Sequence, residues 1–253
     1  MKIDIFNNKG IEIKSIDQWP KPMRSNQWKD GRSAMLLAEY VLNQRNGQDF
    51  HDLIKSVLRD CGIESQNFEC YAEAPKGLGD GFGRGNRHHD LLMTGKNCVI
   101  GIEAKVSESF DQDSIEKKLN EKEDTKRKRA EKLINFLVPE ERRGNQNCLN
   151  LPYQLFTATR STMSWAEKNN MTDSILLILV FTGDVLKERD YDDKCRKNDE
   201  AFNTFLDCIK EENEIRGQIN RKLKDKGNTI NCWIKKVEVV VTKTFKIDKT
   251  SQH

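Results

Sequence analysis

Apolar residues recur at helical spacing in five stretches of the chain. Residues 34–42 place their apolar side chains on one arc of a helical wheel, and Asp30 or Ser33 can cap the start of that helix. Gly62 is expected to end the second helix. The predicted helices begin near residue 30 and then cover 49–61, 114–136, 152–169 and 199–213, with an extension of the last one to residue 223 as an alternative.

Short apolar or alternating runs between these helices predict strands. Residues 88–94 and 98–106 flank the turn sequence Gly95-Lys96-Asn97, which indicates a hairpin. Residues 175–182 form an uninterrupted apolar run, as in a central strand that is covered on both faces. The other predicted strands are an alternating stretch within 3–13, then 68–74 and 232–245.

The order of these elements, α-α-β-β-β-α-α-β-α-β, predicts an α/β fold in which helices flank both faces of a mixed central sheet. Pro20 and Pro22 favour extended backbone in the N-terminal stretch. We expect residues 1–29 to form an N-terminal extension that packs on the core. Residues 30–245 are predicted to form one domain, and residues 246–253 a C-terminal tail.

The balance of charges narrows the class of protein. The 253 residues include 43 Lys and Arg and 40 Asp and Glu, so the net charge is only +3, which argues against a histone-like polycation and an acidic tail protein. The longest apolar run, 175–181, is far too short to span a bilayer, and the first residues lack the pattern of a signal peptide. The seven scattered cysteines form no C-x-x-C pair, which favours reduced thiols over a disulfide framework. We therefore expect a cytoplasmic protein without a membrane partner.

One predicted strand carries charges that its apolar surroundings do not explain. Glu103 and Lys105 interrupt the apolar run 99–106, where a charged pair needs a reason. Because side chains alternate along a strand, both residues would point to the same face. If the hairpin turns at 95–97, Asp90 lies nearly opposite Glu103. The pattern therefore predicts two carboxylates and one ammonium group close together, with an ordinary ion pair between strands as the alternative.

Such a trio suits metal-assisted hydrolysis of phosphodiesters. Two carboxylates can hold Mg²⁺, for which Mn²⁺ can substitute, while the other positions of the ion stay open to water and phosphate oxygens. The ion would polarise the phosphate and lower the pKa of a bound water. Lys105 could orient or deprotonate that water, or offset negative charge that develops on the phosphate. Mg²⁺ is accordingly the predicted cofactor.

The arrangement Asp90-x12-Glu103-Ala104-Lys105 on a hairpin, preceded by a helix and followed by α-β, resembles the restriction-endonuclease-like PD-(D/E)xK superfamily of nucleases. The resemblance implies that residues 31–183 correspond to the α-β-β-β-α-β core of that superfamily. Residues 199–245 would then be a peripheral helix and strand. It implies that Asp90 and Glu103 bind the metal and that Lys105 is the catalytic lysine. The domain over 30–245 would then be nuclease-like.

Two further site residues follow from the resemblance. Many members add a carboxylate from the first core helix, which here is Glu39, with a solvent-facing position on that helix as the alternative. Some members place a glutamine on the helix after the E-x-K strand, and Gln154 occupies that place. The chain departs from the pattern in having Ala158 where a tyrosine would follow the glutamine, and His89 where a proline would precede the aspartate.

The segment before the hairpin offers contacts to nucleic acid. A glycine stands at every second position of 77–85, without a G-x-G-x-x-G or Walker pattern, which disfavours a nucleotide-binding loop. Arg84, Arg87 and His88 are predicted to lie near a phosphate backbone, with a plain flexible connection as the alternative. Zinc is disfavoured at residues 88 and 89 because no further Cys or His stands at ligand spacing. Acidic residues flank the basic cluster 126–129, which favours a solvated helix face.

The residues and the resemblance together predict a metal-dependent nuclease. The resemblance implies an Mg²⁺-dependent endodeoxyribonuclease that acts on double-stranded DNA, often as a homodimer, in restriction, phage defence or repair. Two alternatives stay open. One is a scaffold of the same fold that binds nucleic acid or a protein without cutting, and the other is a nuclease that acts on RNA or on branched substrates.

Overall fold

The structure, a computed structural model, describes residues 1–20, 28, 32–42, 50–73, 89–106, 108–110, 113–186, 191–222 and 229–241. The strands in these ranges are β1 (Ile3–Phe6), β2 (Phe68–Ala72), β3 (Leu91–Thr94), β4 (Cys98–Lys105), β5 (Asp173–Thr182), β6 (Gln218–Lys222) and β7 (Thr229–Val240). The helices are α1 (Ser33–Leu42), α2 (Phe50–Asp60), α3 (Ile115–Leu119), α4 (Asp124–Leu137), α5 (Gln146–Leu149), α6 (Tyr153–Lys168) and α7 (Tyr191–Ile209). Short 3-10 helices cover Ile16–Gln18, Glu140–Arg142 and Asp184–Leu186. The described residues therefore confirm the predicted α/β class.

The seven described strands form one mixed sheet in the order β1-β2-β3-β4-β5-β7-β6. β2, β3 and β4 are antiparallel neighbours, β4, β5 and β7 run parallel, and β6 returns antiparallel to β7. In the β3–β4 hairpin Leu91 lies opposite Ile102, and the amide of Gly95 donates to the carbonyl of Cys98 at 2.9 Å. The predicted hairpin is confirmed, although its first strand begins at Leu91 instead of residue 88.

Helices cover the sheet on both faces, as predicted. α1 and α2 belong to the apolar cluster that includes Ile100, Ile102 and Ala104 of β4. α4, α6 and α7 belong to a second cluster, which includes Val99 of the same strand. Every residue of β4 is buried, because this central strand has a helical layer on each side. Successive side chains of β4 therefore enter two different layers, and this alternation positions the candidate site.

The second helix ends where the sequence predicted. Gly62 has a φ of +69°, which its missing side chain permits, and its amide donates to the carbonyl of Arg59 at 3.0 Å. The amide of Ile63 donates to the carbonyl of Leu58 at 2.9 Å. This pair of bonds is a Schellman motif, which satisfies the last carbonyls of α2.

The prediction of a single helix over 114–136 is wrong, because the chain forms α3 and α4 instead. Ser114 caps α3 by accepting a hydrogen bond from the amide of Lys117 at 3.2 Å, and Asn120 caps its end. Glu123 then adopts an extended conformation immediately before α4. Serine and asparagine favour helix ends over helix interiors, and Asn120 ends α3 within the range where one continuous helix was predicted.

The prediction for the C-terminal region also needs two corrections. α7 begins at Tyr191, eight residues before the predicted start at 199, and ends at Ile209. Residues 218–222 form the edge strand β6 and not an extension of the helix to 223. Gly217, with a φ of +82°, precedes this strand, and Ile219 is buried in the second apolar cluster. Pairing with β7 stabilises this otherwise polar segment, and that partner is not visible in local sequence.

The N-terminal segment contributes to the sheet. β1 pairs in parallel with β2, with Ile3 opposite Phe68, and Trp19 is buried in the first apolar cluster. The described part of residues 1–29 therefore contacts the core and adds an edge strand to the sheet. The domain boundaries at 29 and 245 stay predictions.

The cysteines depart from the expectation of reduced thiols in one pair. Cys148 on α5 and Cys208 on α7 form a disulfide, with 5.7 Å between their Cα atoms, and the other five cysteines are free. A separation of 60 residues gives no spacing signal, because only the packing of the two helices brings these thiols together. No helix among the described residues is long and apolar enough to cross a membrane.

Candidate functional site

The carboxylate of Glu103 is held from two sides. Glu103 lies on β4 and is 3% exposed. Its Oε1 is 2.9 Å from Nδ1 of His89, and its Oε2 accepts a hydrogen bond from Nε2 of Gln154 at 2.8 Å. The segment before β3 and the first turn of α6 therefore fix this side chain together.

Lys105, the last residue of β4, joins the same group of side chains. It is 9% exposed, and its Nζ donates to Oε1 of Gln154 at 3.3 Å. Gln154 thus bridges the carboxylate of Glu103 and the ammonium of Lys105. The structure brings these three candidate residues together on the α6 face, and Glu103 and Lys105 share that face as the alternation along the strand predicted.

Contacts at the start of α6 explain where Gln154 stands. Pro152 precedes the helix with a φ of −56°, which is the range its ring allows. The amide of Tyr153 donates to the carbonyl of Asp113 at 2.9 Å, and the amide of Ile115 donates to the carbonyl of Leu151 at 3.0 Å. The chain before α3 therefore anchors the first turn of α6 beside the end of β4.

Asp90 lies next to this group, immediately before β3. Its Oδ2 accepts a hydrogen bond from the amide of Ala104 at 2.8 Å. In the hairpin Leu91 lies opposite Ile102, so Asp90, one residue earlier, reaches the Glu103–Ala104 segment of β4. The hairpin therefore brings Asp90 next to the strand that carries Glu103.

A third carboxyl group, which the sequence analysis missed, belongs to Glu73. This residue follows β2 with a φ of +48°, and its amide donates to the carbonyl of Asp90 at 3.1 Å. Burial raises the pKa of Glu73 to about 8, with further contributions from the negative charges of Asp90 and Glu103. In the sequence, Glu73 is only an acidic residue at the end of a predicted strand. The pairing of β2 with β3 is needed to show that it lies beside Asp90.

His89 is the second residue that the sequence analysis missed. Its ring is fully buried, and Nε2 lies 3.1 Å from Oγ of Ser161 and 3.2 Å from Oγ1 of Thr162. Both ring nitrogens are therefore engaged by side chains. The sequence feature that could have indicated this role is the histidine immediately before Asp90, where the superfamily pattern has a proline.

With this geometry established, a comparison with known families assigns the chain. The profile of one family, Domain of unknown function (DUF6946), matches residues 12–238. The chain belongs to this family. The match covers the whole group of side chains from Glu73 to Gln154. No curated protein and no solved structure matches the chain.

Glu39 occupies a different layer of the DUF6946 fold. It is 5% exposed on α1, so the alternative of a solvent-facing residue is wrong. α1 packs on the face of the sheet opposite to α6, whereas Glu103, Gln154 and Lys105 are joined on the α6 face. A role for Glu39 in the site stays a prediction.

The residues predicted to contact a phosphate backbone lie in the segment before the β3–β4 hairpin. Arg84, Arg87 and His88 lie outside the described residues, as does the glycine segment 77–85. The basic cluster 126–129 begins on the exposed part of α4, where Lys126 pairs with Glu123 at 2.7 Å. The next two residues of the cluster pair with Asp124. These ion pairs support the preference for a solvated helix face.

The donor chemistry of this group fits a hard divalent cation. Among the described residues, no three or more His, Cys, Asp or Glu side chains are gathered closely enough to hold a metal ion by themselves. Mg²⁺ usually takes only one or two carboxylates and keeps several waters, so Asp90 and Glu103 are a sufficient set. Burial is the first cause of the raised pKa of Glu73, and the negative charges of Asp90 and Glu103 add to it, a repulsion that a bound cation would relieve.

Proposed function

We propose that this chain is a metal-dependent nuclease with the restriction-endonuclease-like core of the PD-(D/E)xK superfamily, and that it hydrolyses phosphodiester bonds of double-stranded DNA. The observation that carries the proposal is the hydrogen-bonded group of Glu103, Gln154 and Lys105 beside Asp90. The proposal includes a homodimer that serves restriction, phage defence or repair, as the resemblance implies, and the cytoplasmic location stays a prediction.

The order of elements around the site supports this proposal. α1 and α2 precede β2, β3 and β4, after which α6 and then β5 follow, in the α-β-β-β-α-β order of the superfamily core. The helices α3, α4 and α5 are inserted before α6. Asp90 and the Glu103-Ala104-Lys105 triplet stand at the same end of the β3–β4 hairpin, as the superfamily pattern requires.

Asp90 and Glu103 would hold Mg²⁺, with Glu39 as a further candidate ligand. When bound, the ion supplies Lewis-acid polarisation of the phosphate and a more acidic water. Gln154 keeps the ammonium of Lys105 near Glu103, where it can orient the attacking water or offset negative charge on the phosphate.

The test is cleavage of plasmid and single-stranded DNA by the purified protein in Mg²⁺ or Mn²⁺. We expect Asp90→Asn and Lys105→Ala to lower the cleavage rate by about 100-fold or more, because each removes a group that acts on the reacting atoms. Lys128→Ala on the exposed face of α4 is the matched control and should cut at the wild-type rate. Wild-type activity in either site variant would contradict the proposal, and parallel reactions with RNA and branched DNA identify the substrate class.

One observation favours a second candidate, the scaffold of the same fold that binds nucleic acid or a protein without cutting. Both oxygens of Glu103 already have protein partners, His89 and Gln154, as in a purely structural network. Calorimetry with Mn²⁺ separates the two functions. A nuclease site should bind the ion and lose it in Asp90→Asn, whereas absence of Mn²⁺ binding would favour the scaffold.

A further inference from the structure

His89 connects the candidate site to the middle of α6. Its ring lies between β4 and that helix, with Nδ1 2.9 Å from Oε1 of Glu103. On the opposite edge of the ring, Nε2 is 3.1 Å from the hydroxyl of Ser161 and 3.2 Å from that of Thr162. The side chain is 0% exposed, so bulk water does not reach either set of contacts.

Contacts on both edges orient the ring of His89. Ser161 and Thr162 each donate to the carbonyl of Ala158, at 3.0 and 2.9 Å, and their oxygens also lie against Nε2 of the ring. The carboxylate of Glu103 offers only acceptors, so Nδ1–H donates to its Oε1. The helix therefore orients the ring so that its donor points at Oε1.

A glycine on β4 makes room for this arrangement. Gly101 lies two residues before Glu103, and a Cβ atom there would come within 2.6 Å of Oγ1 of Thr162 and 2.9 Å of Nε2 of His89. Strand and helix thus approach so closely that the imidazole fills the remaining space. Because the ring has no room to turn, the position of its Nδ1 donor is fixed by packing as well as by hydrogen bonds.

We propose that His89 is a positioning residue, which orients the Glu103 carboxylate for a divalent metal without binding the metal itself. Gln154 restrains Oε2 and His89 restrains Oε1, so the carboxylate has one orientation relative to Asp90. Residues that orient metal ligands in this way typically affect metal affinity. The inference rests on the proposed nuclease function and adds a residue to it.

Calorimetric titration with Mn²⁺ tests this role in His89→Leu and His89→Asn. Leucine fills the space but removes the donor, and we expect Mn²⁺ to bind about 10- to 100-fold more weakly. Asparagine can place its amide nitrogen near the position of Nδ1 and should restore most of the affinity. Phe205→Leu, a buried change on α7, is the control for a general loss of stability and should bind Mn²⁺ as the wild type does. The Mg²⁺ concentration for half-maximal cleavage should follow the same order.

The outcomes separate this role from the proposed function. Wild-type protein that binds no Mn²⁺ would overturn both together. Mn²⁺ binding by the wild type with equal affinity in His89→Leu, or an equal loss in Phe205→Leu, would overturn only the positioning role. NMR can report the contact between His89 and Glu103 directly. The ¹⁵N resonances of the His89 ring are assigned by their disappearance in His89→Asn. Glu103→Gln should shift the Nδ1 resonance, and an unchanged resonance would also overturn the inference.

Discussion

Glu73→Gln tests whether a third carboxyl group belongs to the site around Asp90 and Glu103. The pKa of Glu73 rises from the ordinary 4.5 to about 8, first because the group is buried and second because two negative charges lie nearby. Glutamine has the same shape but does not titrate. The substitution therefore removes the energetic cost of this buried carboxyl group without removing bulk.

The sign of the effect follows from proton binding. The folded chain holds the Glu73 proton more tightly than the unfolded chain, so this group contributes stability that is complete below pH 4.5 and is lost as the pH rises through 8. Between pH 5 and pH 8 the unfolded carboxyl is mostly ionised while the folded one is mostly protonated. Three pH units at about 1.4 kcal/mol each, less the partial ionisation at both ends, amount to about 3 kcal/mol.

Urea unfolding of metal-free protein at pH 5 and pH 8 measures this difference. From pH 5 to pH 8, we expect the free energy of unfolding of the wild type to fall by about 3 kcal/mol relative to that of Glu73→Gln. Glu64→Gln, at an exposed position before β2, is the matched control and should follow the wild-type profile. If the wild type and Glu73→Gln depend on pH in the same way, Glu73 does not share the electrostatic environment of the site.

Two further predictions concern stability. Gly101→Ala should lower the free energy of unfolding by about 1–3 kcal/mol, because its Cβ would meet Thr162 at 2.6 Å, whereas Gly144→Ala, with open space around it, should change the urea midpoint little. An equal midpoint for both alanine variants would refute the close approach of β4 and α6. Reducing the Cys148–Cys208 disulfide, which closes a loop across a sequence separation of 60 residues, should cost about 4 kcal/mol by loop entropy. Urea unfolding with and without reductant measures this cost, and a Cys148→Ser variant that still responds to reductant would contradict the assignment.

The local part of the candidate site could be predicted because strands have a period of two. The alternation along 98–105 was sufficient to place Glu103 and Lys105 on one face, and the turn at 95–97 was sufficient to bring Asp90 beside them. The end of α2 at Gly62 is equally local, since the glycine supplies the left-handed backbone that the end of the helix requires. These features depend on residues that are close in sequence.

The roles of His89 and Glu73 could not be predicted in the same way. His89 acquires its function from hydroxyl groups that lie 72 and 73 residues later in the chain, on a helix whose docking no local pattern specifies. The raised pKa of Glu73 likewise depends on the pairing of β2 with β3, which brings it beside Asp90. Burial and electrostatic neighbours arise only when separate elements pack together.

The sequence by itself determined the α/β class, the hairpin and the shared face of Glu103 and Lys105, because backbone geometry and side-chain periodicity are local properties. Only the tertiary structure decided that β6 is a strand, that Cys148 meets Cys208, and that Gln154 and His89 hold the two oxygens of Glu103. Each of these depends on which elements become neighbours. That choice is made by the packing of the whole chain, through contacts between residues that are far apart in sequence.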